Sequence, residues 1–267
     1  DLTSTTRTLP APNFVANSPV SILVGEETVA VTPTSLLTPG ERLAAYQVFS
    51  VGQQSIVLGS LGDAVGGSFN IGPKFGQYVN NLVVPQGITA IQNASTSATL
   101  NLVGNLTNAG TFYAVSTNPA ITSVSISALN IISQQGGLLT SVLPTGGIPG
   151  FSGALSGLNL NLTALNNIIN SGTISSGGNL SMYAGGTITN ALPAGITAVS
   201  PTLMALNQLT MQASNIVNSG QILAQQGALN LITSNVTNSG LIQSMLSNLN
   251  VQNLMGNTLT VTNTLPR

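Results

Sequence analysis

Charged side chains are nearly missing from this chain of 267 residues. Asp, Glu, Lys and Arg together make up 3% of it, against about 25% in ordinary soluble domains. No Asp, Glu, Lys, Arg or His lies between Gln77 and Pro266. General acid–base catalysis, metal binding and phosphate binding all draw on such side chains, so most of the chain has no means to supply them. We therefore predict no catalytic, metal-binding or cofactor-binding residue and no cofactor.

Cysteine and tryptophan are absent as well. Without cysteine, neither a disulfide nor a thiolate metal site can form. The formal net charge of −1 leaves no cluster of Lys and Arg for nucleic acid or an anionic membrane surface. Gly, Asn, Ser and Thr interrupt every apolar run well before the ~18 residues that a membrane-spanning helix needs. We predict no nucleic-acid partner and no membrane span.

Apolar residues, by contrast, are plentiful. They make up 42% of the chain, enough to bury a core, whereas disordered chains combine low hydrophobicity with high net charge. The length fits one large all-β domain or two smaller ones. The start at Asp1 suggests a removed targeting segment, and a trimmed sequence would look the same. A complete subunit and a processed piece of a longer precursor are both open at this point.

A short turn of the form Asn-small-Gly, flanked by apolar residues, repeats along the chain. Gly220 and Gly240, in the last two copies, lie 20 residues apart, a spacing typical of solenoid coils. The longer intervals before them, 48 and 62 residues, predict additional coils or insertions. The four copies are Leu106–Phe112, Ile169–Ile174, Val217–Ile222 and Thr237–Ile242.

Brief alternating apolar runs fill the intervals between these turns. Alternation over a few residues, bounded by Gly or Asn, predicts a strand with one face inward, and a β-solenoid stacks such strands on each side. We attribute the Asn and Gly at the turns to their tolerance of positive φ, and we expect stacked Asn side chains to pair along the axis as amide ladders. The runs are residues 98–103, 158–162, 179–182, 229–231 and 259–261.

Two segments rich in Pro and Gly interrupt the pattern, at residues 143–153 and 191–201. Their composition predicts excursions out of the stack. Such insertions in solenoids often carry a binding face, but a plain spacer is the favoured interpretation.

The N-terminal third differs in kind. We interpret residues 1–17 as an extended polar, Pro-rich tail, residues 18–90 as an N-terminal cap with the first coils, and residues 91–267 as solenoid repeats. Val20–Val24 and Thr28–Val31 predict a hairpin. Thr38-Pro39-Gly40-Glu41 predicts a helix start before Arg42–Phe49. The predicted fold is all-β, a parallel β-helix with an N-terminal capping region that contains a short helix.

The tandem Asn-Ser-Gly-x-Ile turns and Leu-Asn-Leu strands, over roughly residues 93–264, resemble the β-helical repeats of filamentous-haemagglutinin-like proteins. The resemblance implies a right-handed parallel β-helix on the surface of a bacterium or in the extracellular space. The Asn-Pro-Asn motifs of that family's secretion domains are absent, and the only Asn-Pro pair is Asn118-Pro119.

Three classes of function follow from these observations. The leading hypothesis is a structural subunit of an extracellular bacterial fibre, sheath or matrix that assembles with copies of itself, by strand donation from the N-terminal tail and end-to-end β stacking. The alternative is a β-helical surface adhesin or binding module, acting as a monomer or as a fragment of a larger adhesin, in contact with a cell surface or a carbohydrate. A β-helical polysaccharide enzyme is disfavoured, because the acidic residues after Asp1 are only Glu26, Glu27, Glu41 and Asp63.

Two further features bear on binding. Alternate Thr residues at 187–189 and 258–262 would share a strand face, but two tracts are too few for an ice-binding array. Exposed tyrosines would favour adhesion, although scattered tyrosines are more often packed. The four tyrosines are Tyr46, Tyr78, Tyr113 and Tyr183.

Overall fold

The computed structural model describes most of the chain from residue 79 onwards and short segments before it. The described residues are 20–24, 27–32, 35–36, 53–57, 64–65, 67–71, 79–94, 99–148, 151–254 and 259–263. They contain strands and no helix. The tail at 1–17 and the helix predicted at residues 39–49 lie outside them.

Six strands precede residue 79. β1 and β2 form the predicted hairpin, with Val24 opposite Glu27. β3 and β5 also pair antiparallel. The strands are β1 Val20–Val24, β2 Glu27–Thr32, β3 Ser35–Leu36, β4 Gln53–Val57, β5 Ala64–Val65 and β6 Gly67–Ile71.

From residue 79 the described strands come in threes, and each set of three makes one coil. The first four coils comprise β7 Val79–Val84, β8 Ile88–Asn93 and β9 Thr99–Asn101; β10 Leu106–Asn108, β11 Thr111–Val115 and β12 Ser123–Ala128; β13 Ile131–Ser133, β14 Leu138–Thr140 and β15 Asn159–Ala164; and β16 Ile168–Asn170, β17 Thr173–Ser176 and β18 Leu180–Ala184.

The remaining strands continue the same order. They are β19 Thr187–Asn190, β20 Thr202–Ala205 and β21 Leu209–Gln212; β22 Asn215–Asn218, β23 Gln221–Ala224 and β24 Leu229–Thr233; β25 Asn235–Asn238, β26 Leu241–Ser244 and β27 Leu249–Asn253; and β28 Thr260–Asn263.

Stacked coils form three long sheets, one on each side of the solenoid. Sheet I has the order β28-β25-β22-β19-β16-β13-β10-β7-β4, sheet II runs from β1 to β26 through β2, β6, β8, β11, β14, β17, β20 and β23, and sheet III has the order β27-β24-β21-β18-β15-β12-β9. In the three long sheets, β4 pairs with β7 and β6 pairs with β8 in parallel, and every later strand pair is also parallel. The hairpin strand β2 pairs with β6 antiparallel. The predicted parallel solenoid is therefore confirmed.

Alternation along each strand directs every second side chain into a continuous core. Aligned rows of Leu and Ile stack along the axis, and a fully buried side chain of this kind contributes about 1.5–3 kcal/mol. One row of sheet I shows the pattern, with side chains at most 1% exposed: Leu106, Ile131, Ile168, Ile188 and Ile216.

Coil length is 20 residues between Asn170 and Asn190 and between Asn218 and Asn238, and it is 24 from Leu82 to Leu106 and 25 from Leu106 to Ile131. It rises to 28 between Asn190 and Asn218, where the 191–201 segment leaves the stack. A separation of 37 between Asn130 and Asn167 includes the 143–153 segment. The long intervals in the sequence repeat therefore contain both additional coils and insertions, as predicted.

Candidate assembly site at the open end of the solenoid

A ladder of asparagine side chains lies inside the solenoid at the end of the sheet I strands. Asn170 Nδ2 donates to Asn190 Oδ1 at 2.8 Å, Asn190 Nδ2 to Asn218 Oδ1 at 2.8 Å, and Asn218 Nδ2 to Asn238 Oδ1 at 2.7 Å. The first three side chains are fully buried. The predicted amide ladder is thus confirmed, and it joins successive coils through side chains as well as backbone.

The ladder has a gap at the coil that carries Ser133. Ser133 aligns with Asn108 on one side and Asn170 on the other. Asn108 Nδ2 donates to the Leu138 carbonyl at 3.0 Å, but Asn108 Oδ1 and Ser133 Oγ are buried without a hydrogen-bond partner. The serine side chain is too short to continue the row.

The turn glycines have a different role from the one predicted. Gly172, Gly220 and Gly240 are not among the glycines with positive φ. A Cβ added at Gly220 would lie 2.1 Å from the Pro201 carbonyl oxygen, and one at Gly240 would lie 2.1 Å from the Gly220 oxygen. These positions require glycine because the backbone of the neighbouring coil approaches them closely, so the prediction from positive φ was wrong here.

A second polar row follows the corner between sheets III and I. Asn130 Nδ2 donates to Asn105 Oδ1 at 2.9 Å, and Asn130 Oδ1 accepts from the Asn167 backbone N–H at 3.1 Å. Further along, Asn235 Nδ2 donates to Asn215 Oδ1 at 2.8 Å. This row lies at the surface and satisfies backbone donors where the chain turns.

The last coil leaves its inward side chains uncovered. In sheet III, the inward residues Leu160, Leu180, Leu209 and Leu229 are completely buried, whereas Leu249, next in the same row, is 46% exposed. A side chain at this position faces the core and needs a further coil above it to be buried.

The same change occurs on the other rows. Val251 is 37% exposed although its neighbour Leu231 is buried, and Val261 is 56% exposed although Val236 is buried. In the described part of the chain, no strand pairs with the outer edges of β26, β27 and β28. Among the described residues, the last coil therefore presents an apolar core section framed by three parallel strand edges.

The predicted excursions take two different positions. Ile148 and Phe151 of the first insertion pack with Ile91 and Val115 on the outer face of sheet II, and Tyr113 joins this cluster. Burial raises the pKa of Tyr113 above its ordinary value. The first insertion covers sheet II and borders an uncharged depression of about 560 Å³.

The second insertion presents Ile196 and Val199 to solvent, with Val199 90% exposed. It borders a depression of about 360 Å³ against the turn at Gly172.

Tyr183 lies on the outer face of sheet III and is 45% exposed. A shallow depression of about 150 Å³ beside it is lined by uncharged polar side chains, among them Thr163, Ser181 and Gln212. Tyr46 and Tyr78 lie outside the described residues. Both Thr tracts contribute to sheet I, but Asn215 and Asn235 lie between Thr187 and Thr260, and Val217 interrupts the row of Thr189, so the described coils form no continuous Thr array.

Only one of the acidic residues considered above lies in a described strand. Glu27 lies in β2, and Glu26, Glu41 and Asp63 fall outside the described residues. Over the ranges that the structure describes, no three metal-ligating side chains cluster. The same ranges hold no helix of the length and hydropathy needed to cross a membrane.

No family model, curated protein or solved structure matches this chain.

Proposed function

We propose that this chain is a structural subunit of an extracellular bacterial fibre, sheath or matrix, and that it assembles with copies of itself. The open C-terminal end carries the proposal. Leu249, Val251 and Val261 occupy core positions that only another layer of β-structure can cover. Apolar surface of this kind is rarely left in water on a monomer.

A second copy of the chain has the chemistry that this end requires. At its opposite end, the described strands β4 and β6 join the same parallel sheets, and the C-terminal end itself holds no charged residue before Arg267 to oppose close approach. Contact between two different ends is a head-to-tail contact, which propagates into a filament when the rotation does not close a ring.

Strand donation by the tail at residues 1–17 is part of the proposal. An extended peptide that adds to an exposed sheet edge gains main-chain hydrogen bonds, and β26, β27 and β28 offer such edges in the described structure. We propose further that the coils wind in the right-handed sense that parallel β connections almost always take, and that residues 18–90 cap the opposite end.

The extracellular location and bacterial source rest on the resemblance of the Asn-Ser-Gly turns to filamentous-haemagglutinin-like repeats.

Charged substitutions at the open end test the assembly. Leu249→Lys with Val251→Lys places two ammonium groups where a joint would bury them, and an unpaired buried charge is strongly unfavourable. Sedimentation velocity and negative-stain electron microscopy should show fibres from the native chain and monomers from this variant. A matched control, Leu165→Lys, lies on an exposed corner of the side wall and should assemble normally.

Fibres of unchanged length from the Leu249→Lys, Val251→Lys chain, or a native chain that stays monomeric at high concentration, would contradict the proposal. Deletion of residues 1–17 tests donation separately: polymerisation should weaken while the circular dichroism spectrum of the solenoid is retained.

Exposed Tyr183 favours the second candidate, a binding module for neutral carbohydrate. An aromatic ring among hydroxyl and amide side chains offers an apolar platform with hydrogen-bond partners around it. Binding of uncharged glycans by the native chain, lost in Tyr183→Ala and kept in a control at Tyr113, would support this function. Absence of glycan binding together with fibre formation would leave the structural subunit alone.

A further inference from the structure

The flank of the last coil differs from the flank of the coil before it. Leu241, on the outer face of sheet II, aligns with Gln221. Met245 follows at the corner between sheets II and III, in the place that Gln225 takes one coil earlier. Leu246 is next and is 78% exposed, whereas the preceding coil has Gln226 there.

These three apolar residues, Leu241, Met245 and Leu246, form the flank strip. Their side chains point away from the core, because Ile242 between them packs against it. A partner that covered only the end of the stack would leave the flank strip in water. Leu206, 39% exposed, is apolar at the Met245 position two coils earlier, but the last coil brings three exposed apolar residues together where the preceding coil has three glutamines. This grouping points to a partner that also lies along the outside of that coil.

We propose that the flank strip binds the segment Leu9–Val15 of a second copy of this chain, laid along the free edge of β26. This inference rests on the proposed assembly function and specifies its joint. The subunits would then overlap at the joint and would not merely abut.

The composition of Leu9–Val15 fits this position. The segment is uncharged, and in an extended strand Leu9 and Val15 share the face that would contact the flank strip, whereas Phe14 lies on the other face. Alternate residues of an extended strand direct their N–H groups to opposite edges, and Pro has no N–H. Pro10 and Pro12 therefore fall on the same edge, which leaves the other edge able to pair with β26.

The blocked edge has a further consequence. A strand whose outer edge lacks two donors is a poor template for another strand, so the end-to-end stacking would continue through sheets I and III and sheet II would stop at the donated segment. The antiparallel hairpin of β1 and β2 lies at the opposite end of that sheet.

Substituting the flank strip residues by glutamine, the residue type that the preceding coil has at these positions, tests the role of the strip directly. The triple variant Leu241→Gln, Met245→Gln, Leu246→Gln keeps side-chain size and neutrality but removes most of the apolar contact. We expect the critical concentration for assembly to rise about tenfold or more, since each tenfold step corresponds to about 1.4 kcal/mol. The matched control Val103→Gln, Leu165→Gln alters equally exposed apolar residues on another corner and should assemble as the native chain does.

Engineered cysteines identify the occupant, because the chain has no cysteine of its own. A Val15→Cys chain mixed with a Leu246→Cys chain should give intermolecular disulfides under mild oxidation. A Leu246→Cys chain mixed with a Val199→Cys chain should not, because Val199 lies on the second insertion.

The outcomes separate the two proposals. If the native chain assembles and the triple glutamine variant assembles equally well, the flank strip is not part of the joint and this inference is overturned while end-to-end stacking stands. If the variant is impaired but Val199→Cys couples as readily as Val15→Cys, the segment Leu9–Val15 is not the occupant. If the native chain never assembles, both proposals fail.

Discussion

Asn218 shows how much one side chain can do inside this solenoid. Its Nδ2 donates to Asn238 Oδ1 and to the carbonyls of Gly220 and Leu241, and its Oδ1 accepts from Asn190 Nδ2 and the Gly220 N–H. It does so fully buried, where an unsatisfied polar group costs about 1–3 kcal/mol. The amide is needed because it both donates and accepts along the same axis.

Asn218→Asp should make the stability depend on pH. Burial and the loss of the donor raise the pKa of the introduced carboxyl in the folded state above its unfolded value of about 3.9. The folded state then favours the neutral acid, so stability is greatest below that value and falls as the pH rises through the folded pKa. At pH 7 we expect a loss of about 3–5 kcal/mol.

Guanidinium unfolding followed by circular dichroism at pH 3, 5 and 7 measures this dependence. Asn218→Ala is the control, because it removes the hydrogen bonds without adding a titrating group. Its loss should be the same at the three pH values, and a flat profile for Asn218→Asp would show that the ladder tolerates a carboxylate.

Gly220→Ala should destabilise the fold by about 3 kcal/mol or more, since the new methyl group would meet the Pro201 carbonyl oxygen at 2.1 Å and backbone cannot move aside easily. Gly195→Ala is the matched control. That residue has φ +79 and no atom within 4 Å of the added Cβ, so only backbone strain of about 1 kcal/mol is expected. Thermal melts of both variants give the comparison, and equal losses would refute the close-approach explanation.

At the scale of elements, the coil of 20 residues is the unit and insertions are additions to it. The second insertion leaves the stack after Asn190 and returns at Thr202. In the next coil, Asn218 aligns with Asn190 and Gln221 aligns with Thr202, and only two residues join them. The extra chain leaves at a corner, where the ladders on either side are unaffected by its length.

Replacing Ala191–Pro201 by Ser-Gly, the pair that links Asn218 to Gln221, should preserve the fold. The change in unfolding free energy should stay within about 1 kcal/mol, because loop length contributes little and the shortened coil matches its neighbours. Urea unfolding measures the change. The control is deletion of Leu209–Val217, which shortens the chain by the same number of residues but removes core side chains of two strands. This deletion should abolish folding. Equal tolerance of both changes would contradict the coil assignment.

At the scale of the whole molecule, the shortage of charge defines how copies meet. Any joint made from these coils uses backbone ladders, apolar side chains and neutral amides, with almost no ion pairs.

Assembly should therefore be nearly indifferent to pH between about 4 and 9 and to salt, since few groups titrate in that range and screening acts on charges. Light scattering of preformed fibres across these conditions provides the measurement. Disassembly after a mild change in pH or ionic strength would contradict an uncharged joint.

Local patterns in the sequence predict much of this structure, because strand alternation and turn composition are local properties. The runs at residues 158–162 and 229–231 correspond to β15 and β24, and the turn motif locates Asn170, Asn218 and Asn238. The turn motif does not predict the position of Asn190, because an insertion follows this residue in place of Ser-Gly. The motif does not predict the position of Ser133 either, because this coil has serine where the aligned coils have asparagine.

The order of residues alone establishes a charge-free, repetitive, apolar β chain, since composition and alternation need no knowledge of distant neighbours. Which residues meet is another matter. Four features depend on residues of neighbouring coils that lie 19 or more positions apart in the chain: the clash behind Gly220, the gap beside Ser133, the uncovered Leu249 and the flank strip. Only stacking brings those residues together, because the register of one coil on the next decides which side chains are covered and which are left for a partner.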